Sequence, residues 1–359
     1  MEKRTVVIVG ATGSIGLQTL DVLSKLTFFK LIGITYHSNE ELAMRIAKEY
    51  KIENIVCTMN GLQKLFELFE RLRPDITVVC VPGFVSLPIT LKAIECCKRV
   101  LLASKEALVC GGWLVRSWVR KFNVELLPVD SEHNALFQII EKDVEKVLIT
   151  SSGGALRDWK LEDLEKATVK DVLNHPVWKM GKRITVDSAT MVNKAFEVLE
   201  ACELFSLQSD QVEVLIHRQG IVHAAVFLKD GTVKMHVGYP DMRIPIAFAL
   251  TYPHRYYSNP TWPDLISTPL SFGPVDQRRY PCFHIVYEIS KDYAKRTAYN
   301  AADEVAVNAF LNGRIKFTDI CKVIIKVVEK TTGTCRDLKD LEEIDQRSRI
   351  LAEEVIKCL

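Results

Sequence analysis

The turn Gly10-Ala11-Thr12-Gly13-Ser14-Ile15-Gly16 restricts the fold more than any other feature of the chain. It joins an apolar run, Thr5–Val9, which reads as a buried strand, to Leu17–Lys25, which reads as an amphipathic helix. Glycines at such a junction let the backbone come close to a phosphate, and the helix start offers free N–H groups and a positive dipole end. The spacing is Gly-x-x-Gly-x-x-Gly rather than Gly-x-Gly-x-x-Gly, and a tight turn without a ligand would also fit it. Its position at the head of a βα repeat favours a bound dinucleotide pyrophosphate.

The repeat continues with a strand at Leu31–Thr35, a helix at Glu40–Lys51 and further apolar strands at Ile76–Val81, Val100–Ala103 and Val124–Val129. Strands alternating with helices predict an α/β fold that opens with a Rossmann-like parallel sheet covered on both faces, over residues 1–128. Beyond Pro128 the pattern changes. Val212–Ile216, Ile221–Leu228 and Thr232–Val237 read as antiparallel strands, the last two joined by a Lys229-Asp230-Gly231 turn, and the sheet to which they belong is expected to be mixed. A helix is expected from about Ser188 to Leu204, and residues 129–256 are read as an α+β catalytic domain. A connecting segment is expected over 257–286 and a C-terminal helical domain over 287–359.

A chain of 359 residues exceeds one hydrophobic core, which agrees with several packed units. Its 47 basic and 45 acidic side chains nearly cancel, so neither nucleic acid nor an anionic membrane is an expected partner. Met1-Glu2-Lys3-Arg4-Thr5 leads straight into the first strand, with no apolar export core, and a cytoplasmic location is expected. The ten cysteines are scattered, with only Cys96 and Cys97 adjacent, which predicts reduced thiols.

The second strand ends in His37-Ser38-Asn39, without the acid that commonly holds a ribose 2′-hydroxyl. An acid would repel a 2′-phosphate, whereas these side chains can hydrogen-bond one, so NADPH is expected over NADH. Strand Val124–Val129 delivers Asp130-Ser131-Glu132-His133. On an extended segment residues two apart point the same way, so both carboxylates can meet one hard cation such as Mg²⁺ or Mn²⁺; a solvated acidic loop is the plain alternative. Ser151-Ser152-Gly153-Gly154 follows another apolar run and suits an oxyanion. If Val186–Glu197 is helical, Asn193 and Glu197 share a face with Lys194 beside them, a set suited to a phosphate and a metal or simply to solvent. His175–Arg183 places Trp178 and Met180 among Pro, Gly and cations, which fits either a substrate lid around 172–183 or a loop whose Trp packs on the domain.

Together these blocks resemble the 1-deoxy-D-xylulose 5-phosphate reductoisomerase family along essentially the whole chain. The resemblance is carried by Gly10–Gly16, Ala-Ser-Lys-Glu-Ala-Leu-Val at Ala103–Val109, and Pro-Val-Asp-Ser-Glu-His at Pro128–His133. His-Pro-x-Trp-x-Met-Gly at His175–Gly181, Val-Asp-Ser-Ala-Thr-Met-x-Asn-Lys at Val186–Lys194 and Pro-Asp-Met-Arg at Pro240–Arg243 complete it. It implies that Asp130, Glu132 and Glu197 hold one divalent metal (Mg²⁺, Mn²⁺ or Co²⁺), with Lys105 near the nicotinamide. It implies substrate contacts from Lys105, Ser131, Glu132, Ser152, His175, Trp178, Met180, Ser188, Asn193, Lys194 and Glu197. NADPH contacts are implied for Thr12, Gly13, Ser14, Ile15, Ser104, Glu106 and Gly181, joined by the strand-end His37, Ser38 and Asn39. The implied reaction rearranges 1-deoxy-D-xylulose 5-phosphate by retro-aldol cleavage and re-aldol addition, then reduces the aldehyde to 2-C-methyl-D-erythritol 4-phosphate. A homodimer and sensitivity to metal-chelating phosphonate hydroxamates are implied as well. Many members carry Gly-Lys-Asn where this chain has His37-Ser38-Asn39, and Asn where Ser104 stands.

Two other readings share the glycine turn. An NADP-dependent semialdehyde or homoserine-type dehydrogenase is one; the semialdehyde enzymes need a nucleophilic Cys with a His partner, and neither Cys80 nor Cys110 shows that arrangement. A redox-sensing Rossmann module is the other, and it has no use for a carboxylate pair.

Overall fold

A computed structural model describes residues 3–178, 180–256 and 261–359. Residues 257–260 of the expected connecting segment and Lys179 of the expected lid lie outside the described residues. The chain divides into two compact units: Met1–Ala107, Trp113–Asn134 and Asp241–Thr261 form one; Leu108–Gly112, Ala135–Pro240 and Trp262–Leu359 form the other.

The first unit is built on β1 (Arg4–Val9), β2 (Phe29–Tyr36), β3 (Asn54–Cys57), β4 (Ile76–Val79), β5 (Arg99–Leu102) and β6 (Glu125–Pro128). Their order is β3-β2-β1-β4-β5-β6 and every pairing is parallel. Val6, Val7, Ile8 and Val9 of the central strand are wholly buried, as an unbroken apolar run requires when both sheet faces are covered. Helices α1 (Ser14–Lys25), α2 (Glu40–Tyr50), α3 (Gln63–Leu72), α4 (Ser86–Cys96) and α5 (Glu106–Phe122) follow successive strands, and α6 (Ser131–Ile139) follows β6. The order reverses direction between β1 and β4, the switch point beyond whose strand ends such sheets bind ligands. Strand β3 was not expected: four residues at a half-buried edge give little periodic signal.

In the second unit β7 (Val144–Ser151) leads through α7 (Val169–Val172) to α8 (Lys182–Thr190) and α9 (Val192–Phe205), then to β8 (Val212–Ile216), β9 (Val222–Leu228) and β10 (Val233–Val237). The sheet order is β10-β9-β7-β8. β9 and β10 are the expected antiparallel hairpin, but β8 runs parallel to β7, reached by a helical crossover rather than a turn. The single helix expected over Ser188–Leu204 is two, broken at Met191, which is left-handed at φ 64°. No Gly or Pro marks that break.

The chain then returns to the first unit with α10 (Arg243–Thr251), begun by the Pro-Asp-Met-Arg motif. Asp241 accepts from the Arg243 backbone N–H at 2.9 Å and from its guanidinium at 2.6 Å, and Arg243 also pairs with Asp21 on α1 at 3.2 Å. Buried Arg99 donates to the carbonyl of Leu250 at the far end of α10 at 3.2 Å. The rest of the second unit is the expected helical C-terminal region: α11 (Ile285–Ile289), α12 (Tyr293–Leu311), α13 (Phe317–Lys330) and α14 (Leu338–Lys357).

The expectation of wholly reduced thiols is corrected here. Cys282 and Cys321 are joined by a disulfide with Cα atoms 5.3 Å apart. They lie 39 residues apart, so only the packing of α13 brings them together.

Candidate active site

At the carboxyl ends of β1 and β4 the glycine turn is closed tightly on itself. A side chain on Gly16 would put Cβ 2.4 Å from the Gly10 carbonyl oxygen and 2.6 Å from Ala11, so only glycine lets α1 start this close to β1. Gly13 is the N-cap of α1 and has no side-chain cap, which leaves backbone N–H groups of the first turn, with Thr12, Ser14 and Ile15 around them, for a ligand. Ser104 donates to the carbonyl of Val81 at 2.6 Å, and Glu106 accepts from the Gly83 N–H at 2.8 Å. Both therefore brace the β4–α4 turn beside the glycine turn. At the tip of β2, Asn39 accepts from the Leu42 N–H at 3.1 Å as the N-cap of α2, with Glu40 and Glu41 in its first turn. His37 and Ser38 stand beside it at the surface. Nine of the ten expected NADPH contacts thus gather at strand ends of one sheet, while Gly181 lies in the second unit as the N-cap of α8.

The acidic pair also belongs to the first unit, with one correction. Asp130 and Glu132 do not lie on an extended segment, because α6 begins at Ser131. The Ser131 N–H donates to Asp130 Oδ1 at 3.0 Å, turning the chain as soon as β6 ends. The two carboxylates still converge, each offering an oxygen within 4.8 Å of the other. Lys105 Nζ stands 2.9 Å and His133 Nδ1 3.3 Å from Asp130 Oδ2. Burial works to raise the Asp130 pKa, but Lys105 and His133 outweigh it and hold the carboxyl well below the usual range. Glu132, almost fully buried, accepts from the Ser131 hydroxyl at 2.6 Å. An oxygen-only pair whose Asp130 is held ionised fits a hard divalent cation.

In the second unit the phosphate-type residues meet around one imidazole. His175 Nε2 lies 3.2 Å from the Ser152 hydroxyl and 3.1 Å from that of Ser188. Its Nδ1 accepts from the backbone N–H groups of Val177 at 3.2 Å and Trp178 at 2.8 Å. Two donors on Nδ1 place the neutral ring's proton on Nε2. Burial, helped by the charge of Arg157, lowers the His175 pKa to about 4. Gly154 permits the close approach that joins the two serines: at φ 72°, a Cβ there would lie 2.6 Å from the Ser188 carbonyl oxygen. On α9, Asn193 donates to Glu197 Oε1 and Lys194 to Glu197 Oε2, both at 2.6 Å, with Glu197 only 1% exposed. The helix break at Met191 puts Asn193 and Lys194 in the first turn of α9, where an anion is favoured. Trp178 and Met180 are half-buried, the indole 6.3 Å from the His223 ring.

Sequence reasoning missed the supports of these groups. His133 ends the Pro128–His133 motif, and its contact with Asp130 has no separate signal in the sequence. Arg157 donates to the Ser152 carbonyl at 2.7 Å, and the expected connecting segment supplies Tyr280, whose hydroxyl donates to the Gly153 carbonyl at 2.7 Å. An Arg five residues past a serine loop carries no spacing signal, and Tyr280 lies 127 positions away. Glu200, fully buried one turn beyond Glu197, was also passed over, although its i,i+3 spacing was readable.

The 1-deoxy-D-xylulose 5-phosphate reductoisomerase model matches residues 6–61 and 54–112, and the C-terminal domain models of the same family match 126–205 and 237–351. A 1-deoxy-D-xylulose 5-phosphate reductoisomerase from Pseudothermotoga lettingae is 60% identical over 359 residues, covering 100% of both chains. The chain belongs to the 1-deoxy-D-xylulose 5-phosphate reductoisomerase family. The reductoisomerase of Thermotoga maritima is 53% identical over 373 residues, covering 100% of this chain and 99% of its own. Among solved structures, the Zymomonas mobilis reductoisomerase in complex with NADPH aligns at TM-score 0.91 and 33% identity over 100% of both chains. A reductoisomerase in complex with NADPH, fosmidomycin and magnesium aligns at TM-score 0.94 and 31% identity, over 99% of this chain and 98% of that one. Membership of this family decides against the dehydrogenase and sensor readings of the glycine turn. Burial agrees with that, since it pushes the Cys80 thiol up to about 12, too high for a nucleophile.

Proposed function

We propose that the protein converts 1-deoxy-D-xylulose 5-phosphate to 2-C-methyl-D-erythritol 4-phosphate, using NADPH and one divalent metal. The observation that carries this is the Asp130–Glu132 pair where β6 ends, with Asp130 held ionised by Lys105 and His133 and Glu132 almost fully buried beside it. Relatives solved with NADPH and with magnesium support both cofactors.

Asp130, Glu132 and Glu197 are proposed as the metal ligands, all of them oxygen donors kept ready by neighbouring hydrogen bonds. The bound metal would act as a Lewis acid on the substrate's carbonyl and hydroxyl oxygens, and NADPH would supply the hydride. Lys105 offsets negative charge that develops on those oxygens. Ser131 is a further substrate contact. Ser152, Ser188, Asn193 and Lys194 receive the phosphate, the serines oriented by the Nε2–H of His175. Trp178 and Met180 exclude water over the substrate, which protects an aldehyde intermediate from side reactions. Thr12, Gly13, Ser14, Ile15, Ser104, Glu106 and Gly181 contact NADPH, with His37, Ser38 and Asn39 toward its 2′-phosphate.

A homodimer and a cytoplasmic location belong to the same proposal. Among the described residues no helix is long and apolar enough to cross a membrane. The test is product identification. With NADPH and Mg²⁺, mass spectrometry should show the substrate gaining one hydride and one proton, with a branched carbon skeleton by NMR. Folded, metal-supplemented protein that yields no such product contradicts the assignment.

A further inference from the structure

The chain enters α8 at Gly181, an N-cap with no side-chain cap hydrogen bond. The first helical residues are Lys182 and Arg183, and no acid stands in the first turn. Cations there oppose the helix dipole, so the sequence of α8 encodes its own start poorly.

The compensation comes from α12. Arg183 Nη2 lies 3.2 Å from Asp303 Oδ2 and donates to Asn300 Oδ1 at 3.3 Å, while Nη1 lies 3.5 Å from Glu304 Oε1. Its Nε lies 3.6 Å from Asp187 Oδ2, one turn along α8. Asp303 is fully buried and Asp187 nearly so. Arg349 of α14 pairs with Glu304 at 2.9 Å and with Asp345 at 2.7 Å, which fixes the acids in turn. A planar guanidinium suits this many-sided role; a lysine ammonium would not span it. Asp187 directly precedes Ser188, whose hydroxyl meets His175.

We propose that Arg183 is a positioning residue for substrate: clamped on Asn300, Asp303 and Glu304 of α12, it sets where α8 begins and holds Ser188 in register with His175 for a sugar phosphate. This gives the C-terminal helices a part in substrate specificity. It rests on the reading of Ser152, Ser188, Asn193 and Lys194 as the phosphate subsite.

The test uses the full-length protein with NADPH and Mg²⁺. Arg183→Met should raise KM for 1-deoxy-D-xylulose 5-phosphate about tenfold or more, with a much smaller rise in the dissociation constant for NADPH, nine of whose ten proposed contacts lie in the first unit. Arg183→Lys should recover part of that loss. The double variant Arg183→Met/Asp303→Asn also removes the buried carboxylate charge that Arg183 faces, and it should regain thermal stability without regaining KM. Hydrogen exchange gives a readout that needs no turnover: amides of Thr185–Ser188, the first to donate back along α8, should exchange about tenfold faster in Arg183→Met, while those of β7 and β9 keep their protection. A wild-type KM in Arg183→Met, or a KM restored together with stability in the double variant, overturns the proposal. So does an exchange increase spread evenly over the unit. If the wild-type protein fails to turn over the substrate, the proposed function falls, and the exchange pattern still decides whether Arg183 anchors α8.

Discussion

Lys105 Nζ lies 2.9 Å from Asp130 Oδ2, and the two side chains are 7% and 14% exposed. A pair this dry keeps the carboxylate charged and places a cation beside the position proposed for the reacting oxygens. Removing Lys105 leaves the Asp130 carboxylate, among the described residues, with the His133 ring at 3.3 Å as its remaining side-chain ion-pair partner. Lys105→Met is therefore expected to cost about 3 kcal/mol of folding stability, read by urea titration. It should also lower kcat by roughly 10²–10³, because charge stabilisation is lost in a water-poor site. Unchanged kcat in the folded variant would remove Lys105 from the chemistry.

Gly16 offers a steric prediction. A methyl there meets the Gly10 carbonyl oxygen at 2.4 Å, so β1 and α1 must separate. Gly16→Ala should weaken NADPH about tenfold or more, by fluorescence titration, since the turn's N–H groups lose their common focus. Wild-type affinity would show that the turn does not hold the pyrophosphate.

His175 predicts a pH dependence of definite sign. Its folded pKa is about 4 against an ordinary 6.5, so between those values the unfolded chain binds the extra proton. Its contribution to stability is complete above about 6.5 and is lost as pH falls toward about 4, by about 2 kcal/mol after allowance for solvent screening. NMR of ¹⁵N-labelled histidine should show a neutral Nε2–H ring at pH 6. A protonated ring there would contradict the Nδ1 acceptor role toward Val177 and Trp178.

His37-Ser38-Asn39 at the tip of β2 contains neither Lys nor Arg. Ser38→Lys should tighten NADPH about three- to fivefold at low salt and leave NADH unchanged. Equal gains for both cofactors would mean that the 2′-phosphate lies elsewhere.

The fold was most legible where pattern and packing agree. β1, β4 and β5 are continuous apolar runs because both of their faces are covered, and the helices of the C-terminal region follow a clear period. The site groups were legible as motifs, but their mutual geometry was not. Asp130 just before Ser131 is a local signal for the start of α6 that the extended reading overrode, whereas no Gly or Pro announces that Met191 turns left-handed to split α8 from α9. The return of α10 to the first unit was hidden too, since it depends on Arg99 and Asp21, far away in sequence. The supports of the serine loop, Arg157 and Tyr280, are likewise set by tertiary contact.

The central claim is that hydride transfer serves a metal-held sugar phosphate. The direct measurement is NADPH consumption with 1-deoxy-D-xylulose 5-phosphate, before and after a chelator and again after Mg²⁺ or Mn²⁺ is returned, for wild type and Glu132→Gln. The account predicts turnover that stops with the chelator and resumes with metal in wild type. In Glu132→Gln it predicts turnover reduced at least about 10³-fold, with NADPH affinity intact. Turnover that survives metal removal, or a Glu132→Gln variant that loses NADPH binding in step with activity, would contradict it.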